Sequence, residues 1–115
     1  MADWGVLLYE AADGERVVLE EIQALGHDAS TDIIRAARKL CLAGLELRAP
    51  LVKPIEGKIW ELRPDRYRVL YFATMGQRFI LLRAFIKKTS KTPKGHIAMA
   101  RRRMDDYLAR HGGGE

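Results

Sequence analysis

The sequence predicts an α+β domain in the order β-α-α-β-β-β-α. Three observations predict it. The hydrophobic period is helical through the first half and becomes alternating near Lys58. Three alternating stretches then follow one another across short turns, and a final helical stripe closes the chain. At 115 residues the chain reads as a single domain, 1–115, with room for one modest core.

Residues 4–9 form a short apolar strand, ended by an Asp13-Gly14 turn. Residues 15–25 place Val18, Ile22 and Leu25 on one helical face, and Gly26 stops that helix. Asp28 or Ser30 is suited to cap a second helix carrying Ile33, Ala37, Leu40, Cys41 and Gly44 at helical spacing. Two prolines make residues 49–54 a connector. Residues 58–63 alternate, with Lys58, Trp60 and Leu62 opposite Ile59, Glu61 and Arg63. Pro64-Asp65 turns the chain into a second strand, 66–73, and Met75-Gly76-Gln77 turns it into a third, 79–86. Thr92 is placed to cap the last helix, with Pro93 in its first position. Ile97, Ala100, Met104 and Leu108 form that helix's apolar stripe, and 112–115 is a frayed tail. The last three strands form an antiparallel meander. Its sheet has the two N-terminal helices on one face and a partly open second face.

The net charge is +5, unevenly spread. Residues 1–34 hold eight acids and one base, a net −7, whereas residues 35–115 hold 19 bases and seven acids, a net +12. That is an electrostatic footprint for nucleic acid or another acidic partner. The single cysteine, Cys41, excludes an intrachain disulfide or a cysteine metal cluster, and it falls in an apolar helical pattern. The three histidines, at 27, 96 and 111, are scattered, so no metal site and no cofactor is expected. No apolar run approaches a membrane span and the N-terminus lacks a signal peptide's pattern, which suits a cytoplasmic protein.

Alternation assembles a candidate site. Glu61 and Arg63 share a strand face, Arg66 and Arg68 share another, and Arg83 is in phase with Lys87. If these faces coincide, one carboxylate lies among many cations, with Lys88 and Lys91 at the rim. Cations there can neutralise a phosphate while the carboxylate accepts a proton. The loop 87–94, KKTSKTPK, adds backbone N–H groups and a helix N-terminus that favour an anion. The alternative is that Glu61 pairs with a neighbouring cation and the remaining charges form a solvated sheet face.

The segments GKIWELRPDRYRVLYF and ILLRAFIKKTSKTP, followed by a basic helix, resemble the RelE/HigB superfamily of type II toxin–antitoxin toxins, in its phage-derived HigB-like branch. The resemblance implies a cytoplasmic endoribonuclease that inhibits translation by cutting mRNA in the ribosomal A site. It also implies a helix-turn-helix, HigA-like antitoxin, through which alone operator DNA would be reached. Arg68 matches the arginine that grips the scissile phosphate. Lys88, with Lys87 beside it, matches the basic group that assists the leaving oxygen. Glu61 falls where the family places a lysine or an acidic group, and Arg63 matches a basic position on the same strand. The implied chemistry is metal-independent attack of the 2′-OH on phosphorus, giving a 2′,3′-cyclic phosphate. Lys58, Arg66, Arg83, Lys91, Lys94, Arg101 and Arg102 would hold RNA. Tyr107 reads as a packing residue and His96 as a surface residue. Two other readings stay open: a ParE-like inhibitor of DNA gyrase, and a non-catalytic nucleic-acid or protein-binding module.

Overall fold

A computed structural model describes residues 3–112. Its elements are β1 (Gly5–Leu8), α1 (Val17–Leu25), α2 (His27–Ala43), a 3-10 turn (Gly44–Glu46), β2 (Val52–Glu56), β3 (Ile59–Leu62), β4 (Tyr67–Thr74), β5 (Arg78–Ile86) and α3 (Lys94–His111). They form an α+β fold with a five-stranded sheet in the order β1-β5-β4-β3-β2. Neighbours are antiparallel except β1, which runs parallel to β5.

The expected connector at 49–54 is a correction: β2 lies there. Two prolines argued against a strand, but β2 is the sheet edge, where Pro54 has no second neighbour needing its missing N–H. A register break between Pro54 and Glu56 ends the regular pairing.

The expected caps also differ. Gly26 both ends α1 and precedes α2, leaving no room for a separate capping residue, and no side chain caps α2. Asp28 instead sits in its first turn, where the helix dipole favours an acid. Pro93 rather than Thr92 stands at the N-cap of α3. Of the expected frayed tail, residues 113–115 lie outside the described residues. Gly112 closes α3 with φ +63° and an N–H bond to the Leu108 carbonyl at 2.7 Å.

The sheet divides the core. Tyr71 meets Phe79 edge-on at 5.5 Å, and Phe79 stacks on Trp4 at 4.5 Å. The Trp4 N–H bonds the Cys41 carbonyl of α2, which ties this face to the N-terminal helices. Gly44 permits that approach: its φ is +60°, and a Cβ there would lie 2.5 Å from the Trp4 indole nitrogen. On the other face Phe72 meets Tyr107 of α3 edge-on at 5.9 Å, and Ala100 is fully buried. This second face, expected to be partly open, is therefore covered by α3 over its distal half.

A bulge settles which β5 residues share that face. Leu70 is opposite Arg83 while Tyr71 is opposite Leu81, so Leu82 is the extra residue. The bulge puts Phe79 and Leu81 with Tyr71 on the α2 side, and Arg83 and Phe85 with Arg68 on the α3 side. No helix among the described residues is long and apolar enough to cross a membrane.

Candidate functional site

Where α3 no longer covers the sheet, three side chains converge from two adjacent strands and the turn between them. Glu61 on β3 is opposite Leu70 on β4, and Arg68 lies one side-chain repeat further along the same face. Glu61 is 3% exposed and Arg68 7% exposed. Glu61 Oε1 is 3.7 Å from Arg63 Nε and 3.9 Å from Arg68 Nε, close enough for ion pairing and too far for hydrogen bonds. Its other oxygen accepts a 2.7 Å hydrogen bond from the Thr92 hydroxyl.

Arg68 is fixed from behind. Its Nη1 donates to the Asp65 carbonyl at 2.8 Å and to the Tyr67 carbonyl at 2.7 Å. Burial, then the neighbouring Arg63 charge, lowers its pKa from the usual arginine value, while Glu61 and Asp65 act in the opposite sense. A guanidinium remains protonated under such a shift. Arg63 Nε is the one buried side-chain polar atom among the described residues without a hydrogen-bond partner. A buried donor in that state costs free energy unless an acceptor arrives.

The loop 87–93 closes over this cluster. Lys87 N–H bonds the Arg66 carbonyl at 2.7 Å, extending the β4–β5 pairing, and Thr89 donates to the Lys91 carbonyl at 2.7 Å. The cavity left between the loop, Glu61, Arg68 and Phe85 is about 10 Å³, room for at most one water molecule. Lys87, Lys88 and Lys91 are exposed on the loop. Thr92, assigned to the helix start from sequence, instead joins the loop to Glu61. Pro93, with its fixed φ, already supplies the turn into α3.

The structure thus brings together Glu61, Arg63, Arg68, Lys87, Lys88 and Lys91. It places the other candidates elsewhere. Arg83 shares the sheet face but donates to Glu21 at 2.6 Å and to His96 Nδ1 at 3.1 Å. Arg66 lies over the Tyr67 ring at 5.6 Å, away from Glu61. Lys58 is on the turn before β3 and lines a cleft with Trp60, Tyr71 and Phe79 on the α2 side. Lys94, Arg101 and Arg102 line a shallow groove on α3, where Arg101 ion-pairs with Glu56. Arg103 is structural: it donates to the Leu82 carbonyl at 2.8 Å and pairs with Glu21 at 2.9 Å.

Sequence reasoning missed Glu21 and His96. Glu21 accepts hydrogen bonds from Arg83 and from the Ala84 N–H, the latter at 3.1 Å, and ion-pairs with Arg103. Nothing local to α1 marks it, because its partners are more than 60 residues away in sequence. His96 is half-buried rather than on the surface, and stacks on Phe85 with ring centroids 3.9 Å apart. Burial, then the Arg83 charge, lowers its pKa, which Glu21 only partly offsets. Its position in the first turn of α3, three residues past Pro93, was the available signal. Among the described residues no group of three His, Cys, Asp or Glu side chains is placed to hold a metal.

Comparison with known proteins gives the family of the chain. Residues 20–105 match the family described as Phage derived protein Gp49-like (DUF891). The chain is also 35% identical over 94 residues to the probable endoribonuclease HigB1 of Mycobacterium tuberculosis strain CDC 1551 / Oshkosh, covering 78% of this chain and 73% of that protein. The same figures hold for the HigB1 of strain ATCC 25618 / H37Rv. The matched family spans α1 through most of α3, and so the whole Glu61–Arg68 cluster. The chain belongs to the phage-derived Gp49-like family, within the HigB/RelE-like toxins.

Proposed function

We propose that this chain is the toxin of a type II toxin–antitoxin pair and cleaves mRNA on the ribosome. The observation that carries the reading is the buried Arg63 Nε, which has no hydrogen-bond partner, beside Arg68 and Glu61. Two guanidinium groups held at one carboxylate, one with a donor to spare, suit a phosphate that gains negative charge during reaction. The similarity to a probable endoribonuclease supports the same reading.

In this mechanism RNA lifts Thr92 off Glu61 while Lys87 stays anchored to Arg66, because the closed cavity is too small for a phosphate. The substrate 2′-OH takes the place of the Thr92 hydroxyl on Glu61, which orients it and accepts its proton. The 2′-oxygen attacks the adjacent phosphorus. The 5′-oxygen leaves with a proton from Lys87 or Lys88, producing a 2′,3′-cyclic phosphate and a free 5′-OH. Arg63 and Arg68 stabilise the pentacoordinate phosphorus, so the step needs no metal. Lys91 and the α3 groove, with Lys94, Arg101 and Arg102, guide the RNA backbone or ribosomal RNA toward the site. A cognate helix-turn-helix antitoxin, encoded nearby, neutralises the toxin, and operator DNA is reached only through it. The setting is the cytoplasm, where ribosomes are.

The test is 5′-end mapping of cellular RNA after expression without antitoxin, for wild type and Arg68→Ala. Growth arrest with new 5′ ends inside translated messages, both lost in the variant, is expected. Intact RNA together with poisoned gyrase would replace this reading by the gyrase-inhibitor one. Absence of toxicity would favour a binding module.

A further inference from the structure

The outer edge of β5 changes character halfway along its length. Up to Leu81 it is paired with β1, and the last backbone bond runs from the Tyr9 N–H to the Leu81 carbonyl at 2.9 Å. Beyond that point β1 has ended, and the Leu82 bulge brings the even-numbered residues to the edge. Side chains satisfy the first exposed groups. Arg103 takes the Leu82 carbonyl, and Glu21 takes the Ala84 N–H. The N–H and C=O of a strand residue point the same way, so the Ala84 carbonyl also faces outward. The Lys87 N–H points inward to Arg66, so the Ile86 N–H faces outward as well. Among the described residues neither group has a protein partner.

This edge opens into a cleft of about 310 Å³. Ala24 and Leu25 of α1 form one wall, and Pro93 and His96, the latter stacked on Phe85, form another. The cleft shares Phe85, Lys88 and Pro93 with the Glu61–Arg68 site, so the two are adjacent compartments under one loop. Its lining is mostly apolar; the polar side chains in it are the Glu21–Arg83 ion pair, His96 and Lys88. An unpaired acceptor and an unpaired donor two residues apart form the complement of a Watson–Crick edge, on which every base offers a donor beside an acceptor. A partner β-strand fits less well, because Arg103 and Glu21 already occupy the groups that a longer ladder would need.

We propose that this cleft binds one unpaired nucleobase of the RNA beside the scissile phosphate, with the Ala84 C=O and Ile86 N–H reading its Watson–Crick edge. The proposal rests on the ribonuclease reading for its biological meaning, and its test separates the two. Lys88 at the shared rim would hold the intervening phosphate, and the flat Phe85–His96 pair closes the cleft beside the base.

The experiment is a titration of the isotope-labelled full chain with adenosine 5′-monophosphate, followed by amide NMR. Ribose 5-phosphate and N1-methyladenosine 5′-monophosphate serve as controls. The Ile86 amide is expected to shift with the first ligand and with neither control, since one lacks the base and the other has a blocked edge. Ala24→Phe, a change at an exposed helix position that fills the cleft, should abolish the shift while preserving the remaining spectrum. In parallel, messages programmed into the ribosomal A site with an abasic site at each position flanking the cut should show one position where wild-type kcat/KM drops about 10- to 100-fold, and Ala24→Phe should erase that difference. Cleavage without an Ile86 shift or a base requirement overturns the cleft proposal alone. An Ile86 shift without cleavage of ribosome-bound RNA keeps the cleft and overturns the ribonuclease reading.

Discussion

Thr92 donates its hydroxyl to Glu61 Oε2 at 2.7 Å, joining the loop before α3 to the middle of β3 across 31 residues of sequence. The bond buries the carboxylate and closes the loop over it. It also occupies the oxygen to which the proposed mechanism assigns the substrate hydroxyl.

Thr92→Val should therefore cost about 1–2 kcal/mol of stability, the cost of leaving a buried acceptor unpaired. It should retain cleavage, because the substrate hydroxyl still finds Glu61. Glu61→Gln should lower the cleavage rate by about 100-fold or more, since the amide cannot take the proton. Urea unfolding and single-turnover cleavage of a defined RNA measure both effects.

Arg68→Ala should affect two properties at once. Cleavage should fall by about 100- to 1,000-fold through loss of transition-state charge stabilisation. Stability should fall by about 1–3 kcal/mol, because the Asp65 and Tyr67 carbonyls lose their donor. A variant with full stability and no cleavage would show that those carbonyl bonds contribute little; retained cleavage would remove Arg68 from the mechanism.

Glu21→Ala should be the most destabilising surface-proximal change, at about 2–4 kcal/mol. It leaves Arg83 and Arg103 facing each other without their shared anion and frees the Ala84 N–H. The thermal unfolding midpoint reports it directly.

His96 gives the fold a pH dependence. Its folded pKa lies below the unfolded value of about 6.5, so the unfolded chain takes up the proton first as pH falls. The stability contributed by the neutral ring is complete above the unfolded pKa and is lost as pH drops through the folded one. As pH falls below about 6.5, wild type should lose stability that His96→Gln does not lose. Urea midpoints measured above and below that pH decide the matter.

The exposed lysines should behave as interchangeable charges toward RNA. Alanine at Lys87, Lys88 or Lys91 should weaken binding of every single-stranded sequence alike and reduce the slope of log affinity against log salt by about 0.7 per residue. Filter binding across a salt series measures it. A sequence-dependent loss at any of the three would instead mark that lysine as a reader of bases.

Much of this architecture was legible in local pattern. The order of helices and strands, and the placement of Glu61 and Arg63 on one face and of Arg68 on its partner strand, follow from hydrophobic period and strand alternation, which depend only on near neighbours in sequence. Resemblance added the family. The chain alone could not place β2, because two prolines disfavour a strand until one knows that it lies at an edge. Nor could it choose partners. Whether Thr92 caps a helix or binds Glu61, and whether Arg83 joins Arg68 or Glu21, depends on contacts between residues far apart in sequence. The Leu82 bulge shows why: one extra residue, which β5's own alternation does not reveal, decides which side chains face the site and which backbone groups reach the open edge. Local sequence set the elements and their charged faces; tertiary packing decided which of those charges are neutralised within the fold and which are left for a ligand.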